Sequence, residues 1–306
     1  MNQPPEGLAE SAMSVTLPPE VFDLIVDHLH CEPTTLKACC LVSKSWVPRA
    51  QYHIFVDICF GSPTSVQLWM KAFPDPSNSP AHHTRTLSIL GPWGFTAVQL
   101  TVVRPWVHSF RHIVSLAVTR FDGVSLDQLH GISPVLKSLK LDTPSISPLE
   151  IIDLIYSFPL LENFWLRYTG FFTRNGPDGW NSPSTSPKLT GSLYLDGNIC
   201  PVVRRMLDLP GGLHFAKISI HCYVKDAGIT MDLVSKCSST LGSLCVGYSL
   251  SSGFPSTYVV INTLPLRLDQ GMLGRCLRLA SPRQQNSKTW SFGGVRRKSG
   301  GSLRRS

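Results

Sequence analysis

Between Leu87 and Val246 one arrangement of apolar positions keeps returning: apolar, two others, apolar, one other, apolar. Its clear copies are Ile113, Leu116 and Val118; Leu136, Leu139 and Leu141; Leu161, Phe164 and Leu166; Phe215, Ile218 and Ile220; and Leu241, Leu244 and Val246. Looser copies stand at Leu87 and Ile89, and at Leu189 through Leu193 and Leu195. Each copy alternates apolar with other residues over its last positions, which predicts a short strand with one buried face. Helical patterns fill the gaps. Ser147, Pro148 and Glu150 form a capping box with proline at the first helical position, followed by Ile151, Ile152, Leu154, Ile155 and Phe158 before Pro159 ends the run. Ser125 and Gln128 make a weaker box, and shorter helices are expected at Ser65 to Phe73, Val202 to Leu207, Met231 to Lys236 and near Trp106 to Phe110. The repeating unit is therefore strand, turn, helix, turn. Stacked, such units build a curved solenoid with strands on one face and helices on the other. Gly176 to Pro187 reads as a long loop.

Ahead of the repeats, Leu17 to Phe55 carries three short amphipathic segments. Val21, Leu24, Ile25 and Leu29 recur at helical spacing, Leu36, Cys39 and Cys40 make a second stripe, and Val42, Trp46 and Ala50 a third. Pro18, Pro19 and Glu20 suit a first helical turn, while Pro33 and Thr34 separate the first helix from the second. Ser43 or Ser45 can cap the third helix, and Pro48 favours Ser45. So small a helical set buries too little surface to stand alone, and without metal-ligand spacing a partner surface is its expected support.

These residues carry a resemblance. Leu17 to Val21, then Ile25, Leu29 and Leu36, then Leu41 to Trp46, closing on His53 to Phe55, resemble an F-box over about an eighth of the chain. The resemblance implies docking to the Skp-type adaptor, and through it the cullin, of a cullin-RING (SCF-type) ubiquitin ligase, with the remaining chain presenting a protein substrate. It implies adaptor-binding roles for Leu17, Pro18, Val21, Leu36, Cys40, Leu41 and Trp46. Positions Ile25, Leu29, Val42 and Trp46 match those shared between core and interface. The repeats are similar to leucine-rich repeats, since their steps stay within the roughly 20 to 29 residues of that architecture. They depart from it in lacking a continuous asparagine ladder, with only Asn198 at the expected position. An open twisted α/β sheet is the alternative. The expected fold is α/β: a disordered N-terminus at 1–15, a three-helix F-box-like module at 16–60, an irregular leucine-rich-repeat-like solenoid of parallel strands at 61–250, and a basic, disordered tail at 251–306.

If the strands stack in this way, period-two alternation sends Ala117, Thr119, Lys140, Asp142, Trp165, Arg167, Tyr194, Asp196, Ser219 and His221 to the open face. Trp165 then lies beside Tyr194 among charges, and aromatic and Arg residues dominate binding energy at interfaces. Lys140, Trp165, Arg167, Tyr194 and His221 are the candidate substrate-binding residues. A Trp165 folded under a loop as core is the competing reading.

Charge changes the picture only at one end. Of the net +8, residues 267–306 carry +9 and residues 1–266 carry −1, so the globular part is near neutral. The tail's alternative role is to bind nucleic acid or acidic membrane with the repeats as scaffold. Ser299 follows Arg296, Arg297 and Lys298, a context suited to a basophilic kinase, against the plainer reading of a solvated charge run. The nine cysteines are odd in number and lack paired spacing, which suits reduced thiols. The first thirteen residues show no targeting signal, and no apolar run is long enough to span a membrane, so a cytoplasmic or nuclear protein is expected. His28, His30 and Cys31 lack a fourth metal ligand, His108 and His112 lack the intervening Glu of a zinc hydrolase, and His82 with His83 reads as a loop. No nucleotide-binding or nucleophile motif occurs. The expectation is a non-catalytic protein without cofactor or metal.

Overall fold

The computed structural model describes residues 18–90, 104–119, 129–143, 146–168, 189–249, 257–262, 291–292 and 295–299. The chain divides into two compact units, Met1–Val56 and Asp57–Ser306.

The first unit holds three helices, α1 (Pro19–His28), α2 (Pro33–Val42) and α3 (Val47–Phe55). Each begins with proline in its first turn, where the missing N–H has no partner to lose. Among the described residues its core is Val26, Leu36, Cys39 and Ala50, with Leu29, Cys40, Trp46 and Ile54 packed against it. Two expectations are corrected here. The third helix is capped by neither serine: its N-cap is Trp46, whose carbonyl accepts the Ala50 N–H at 3.0 Å. The Ser43 and Ser45 hydroxyls are spent on each other at 2.8 Å, closing a turn ahead of the helix. The apolar stripe of α1 also divides. Val26 turns inward with Leu29, while Val21, Leu24 and Ile25 are 36, 61 and 41% exposed. A carboxylate joins the helices at their polar side: Asp27 accepts from Arg49 Nε and Nη2 at 2.5 and 2.6 Å and pairs with His53 Nε2 at 2.7 Å. The Arg49 guanidinium, and then His53, hold this carboxyl well below the usual carboxylate range.

The second unit is built on an 11-stranded sheet. Its strands are β1 (Asp57–Phe60), β2 (Thr86–Leu90), β3 (Ser115–Thr119), β4 (Ser138–Thr143), β5 (Asn163–Tyr168), β6 (Leu189–Gly197), β7 (Leu213–Tyr223), β8 (Ser243–Ser249), β9 (Thr257–Asn262), β10 (Ser291–Phe292) and β11 (Val295–Ser299). The first eight lie in chain order and are all parallel. A doubly wound sheet would reverse its order at a switch point; this one does not, and the arrangement is solenoid-like. Leu87, Leu116, Leu139, Phe164, Leu193, Ile218 and Leu244, chosen above as equivalent, are register partners in one continuous row. Ile58 of β1 begins that row. Residues 57–60, the end of the helical module expected at 16–60, form β1 and fall in the second compact unit.

The buried rows of the sheet face the helices α4 (Pro63–Ala72), α5 (Pro148–Tyr156), α6 (Cys200–Leu207) and α7 (Ala227–Lys236). The capping box at Ser147 is present, with Glu150 accepting the Ser147 N–H at 3.2 Å. α4 has a second box, between Ser62 and Ser65. Residues 104–107 are helical. Phe60, Trp69, Phe73 and Phe110 form an aromatic cluster beside the first repeats, with ring centroids 4.7 to 6.1 Å apart. Successive repeats are also tied by backbone: the Val114 and Ser115 amides share the Arg85 carbonyl, Lys137 and Ser138 share that of Val114, and Glu162 and Asn163 share that of Lys137. β9, β11 and β10 extend the last parallel strand in antiparallel fashion. They lie within 251–306, where disorder is expected; the run of β-branched and aromatic residues from Thr257 to Ile261 is a strand pattern that the tail's basic composition hides. The box at Ser125 and Gln128 and the loop at 176–187 lie outside the described residues.

Candidate functional site

The open face of the sheet gathers polar and aromatic side chains between the buried rows. On β4, β5, β6 and β7, Lys140, Trp165, Tyr194 and Ser219 are consecutive register partners. The Trp165 and Tyr194 rings stack with centroids 5.1 Å apart and planes 7° from parallel. Lys140 Nζ stands 4.6 Å from the Trp165 ring, on which a cation is attracted by the negative π face. Parallel pairing makes this possible, because strand partners stand close enough for large side chains to meet ring to ring. Both rings are half-buried and Lys140 is exposed, so Trp165 belongs to the open face and not to the core. Beyond Tyr194 the row continues in two small residues, Ser219 and Cys245.

Two residues further along the strands runs a row of charge: Asp142, Arg167, Asp196 and His221. His221 Nδ1 lies 2.9 Å from Asp196 Oδ1. Arg167 reaches Asp142 at 3.9 Å and Asp196 at 3.7 Å, with its side chain 52% exposed. At such lengths and exposure each Arg contact contributes little to folding. The arginine lies between two carboxylates with about half of its side chain open to solvent. The site thus offers a flat aromatic ledge bordered by fixed charges of both signs, suited to gripping a macromolecular surface. All five candidate residues, Lys140, Trp165, Arg167, Tyr194 and His221, come together here. Sequence periodicity placed them on one face; what it missed was that His221 is engaged by Asp196 and that Lys140 covers Trp165, since both depend on side-chain reach across strands.

The residues matched to adaptor binding divide. Pro18 is exposed at the entry to α1 and its carbonyl accepts the Val21 N–H at 3.0 Å. Val21 and Leu41 are 36 and 90% exposed. Cys40 and Trp46 are partly buried against the core, with the Trp46 ring 5.5 Å from Phe22. Leu36 is wholly buried and is corrected from an interface residue to a core one, because α2 needs it to close on Val26 and Ala50. Leu17 lies outside the described residues. Ile25 and Val42, matched to positions shared between core and interface, are 41 and 70% exposed, and Leu24, given no interface role from sequence, is 61% exposed. Helical periodicity alone does not say which side faces out. His30 Nδ1 pairs with the Asp27 carbonyl at 2.9 Å, and among the described residues no group of His, Cys, Asp and Glu is gathered to hold a metal. Ser299 lies on β11.

Compared with known proteins, the chain matches no family model and no curated protein. No helix among the described residues is long and apolar enough to cross a membrane.

Proposed function

We propose that the protein is a non-catalytic substrate-receptor subunit of a cullin-RING ubiquitin ligase, in which α1 to α3 dock a Skp-type adaptor and the open sheet face holds a protein target. The observation that carries this reading is the first unit's imbalance. Among the described residues it closes on four core side chains while leaving Val21, Leu24, Ile25, Leu41 and Val42 between 36 and 90% exposed. A unit with so small a core gains most from covering such side chains with a partner. The F-box resemblance of the same residues names the partner. The second unit supports the target-binding half: its sheet displays Trp165, Tyr194 and Arg167, residue types that anchor interfaces, on a rigid element. Acting by proximity, such a subunit needs no catalytic group of its own.

Co-purification with the adaptor tests the reading. The intact chain is expected to capture it, and the Leu17→Ala, Pro18→Ala double variant and a Leu41→Glu variant to lose it. Because Leu41 is 90% exposed, Leu41→Glu leaves the core intact. An intact chain that captures no adaptor, or variants that capture it equally, would refute the proposal.

A further inference from the structure

We infer that the surface where β2 and β3 begin, marked by Arg85, Arg104, Arg111 and His112, binds an acidic peptide segment through clustered carboxylates. The near-neutral total of residues 1–266 conceals a strong local asymmetry. From Pro76 to Phe121 the sequence holds Arg85, Arg104, Arg111 and Arg120 with four histidines, and not one Asp or Glu. The described parts of that stretch lie against each other. Arg85 Nη1 donates to the His112 carbonyl at 3.2 Å, the Ser79 and Ser109 hydroxyls meet at 3.4 Å, and the Arg85 carbonyl accepts the Val114 and Ser115 amides. Arg104 Nε points to His108 Nε2 at 3.4 Å. Arg85, Arg104, Arg111 and His112 are all exposed.

Among the described residues, none of these three arginines pairs with a carboxylate. Elsewhere the described part of the chain supplies such partners: Arg49 has Asp27, Lys137 has Glu162 and Arg167 has two aspartates. The sign of the local field is visible in the histidines. His83 and His108 are held below the ordinary imidazole range, first by partial burial and then by their neighbours, His82 and the Arg85 guanidinium for one and the Arg104 and Arg111 guanidinium groups for the other. A guanidinium presents paired donors that match a carboxylate. The neighbouring aromatics are committed to packing: Trp106 donates its indole N–H to the Phe73 carbonyl at 2.8 Å, and Phe110 is buried. Stacked bases of a single-stranded nucleic acid would find no platform there among the described residues. The guanidinium groups, without carboxylate partners among the described residues, favour an extended acidic protein chain, which extends the target-binding role of the repeats without depending on adaptor docking.

The test uses the full chain and a labelled decaglutamate peptide, with a decaglutamine peptide, a single-stranded oligonucleotide and anionic vesicles as comparators. An Arg104→Gln, Arg111→Gln double variant should weaken decaglutamate binding about tenfold, as two exposed charge pairs allow, with an unchanged thermal melt. An Arg296→Gln, Arg297→Gln double variant, which lowers the charge of the basic tail, should retain it. The inference is overturned if the intact chain does not bind the peptide, or if the first variant binds as well as the intact chain. It is equally overturned if the tail variant alone loses binding, or if the oligonucleotide or vesicles bind more tightly and depend on the same arginines. Adaptor capture is read separately, so failure here leaves the ligase reading standing.

Discussion

Two glycines at the ends of β6 do work that no other residue can. Gly191 and Gly197 have φ of 78° and 95°, and a Cβ on either would lie 2.1 Å from a backbone carbonyl of β5 or the residue before it, Glu162 O and Tyr168 O respectively. In each case the next residue's amide reaches that same carbonyl: Ser192 to Glu162 and Asn198 to Tyr168, both at 2.8 Å. The glycines let the strand bend back far enough to satisfy it. Gly191→Ala and Gly197→Ala should each cost about 2 kcal/mol or more in urea denaturation. Gly212→Ala is the contrast: it shares a positive φ of 70°, but its nearest obstacle is the His214 ring at 3.4 Å, so the cost should be about 1 kcal/mol. Tyr168 gives a third residue-level expectation. Its buried hydroxyl donates to the Ile146 carbonyl at 3.0 Å, and burial pushes its pKa up to about 12. Tyr168→Phe should cost about 1 kcal/mol in the same measurement.

At the scale of elements, the strands of the repeats were the most legible part, and which side of each helix in the first unit faces inward was among the least. A strand repeat needs only its period, and the period of Leu87 through Leu244 survives because each of those residues is buried in one shared row. β1 escaped notice because its four residues follow a helix directly and offer a single turn of alternation, Ile58 and Phe60. In α1 apolar residues occupy two sides, so periodicity alone cannot choose between Val21, Leu24 and Ile25 and the inward Val26. The ion pair joining α1 to α3 was not legible either, since Asp27 and Arg49 are distant in sequence. It makes the first unit sensitive to acid. The folded carboxyl titrates below its unfolded value of about 3.9, so its stabilisation is complete above that pH and is lost as pH falls through the folded value. Asp27→Asn should cost about 1 kcal/mol at neutral pH, discounted for the partial exposure of the pair. Helicity measured by circular dichroism should then depend less on pH below 4 in the variant than in the intact chain.

For the whole molecule, the proposed adaptor and target roles fall on different compact units, so the proposal requires that they be separable. Trp165→Ala removes the centre of the Lys140, Trp165 and Tyr194 stack, at a stability cost of about 1 kcal/mol. It should abolish target capture while leaving adaptor capture unchanged, whereas Leu41→Glu should do the reverse. A paired pull-down of both variants reads the two losses independently; a Trp165→Ala chain that folds and keeps every target would remove the sheet face from the account. The candidate site was legible at this scale because alternation alone assigns each residue to a face. The basic surface at Arg85, Arg104 and Arg111 was not, because summing charge over residues 1–266 cancels it against acids placed elsewhere.

The carbonyls of Arg85, Val114 and Lys137, each receiving two amides from the start of the next strand, have a further consequence. They fix where β3, β4 and β5 begin by reference to the preceding strand, whatever chain runs between. Connections of unequal length can then be lengthened or trimmed at the back of the array without changing the spacing of the side chains displayed in front. Evolution could vary the scaffold and the recognition surface as independent traits. In hydrogen exchange, the amides of 114 and 115, 137 and 138, and 162 and 163 should appear as protected doublets that open together, one at each of the three junctions from β2 to β5.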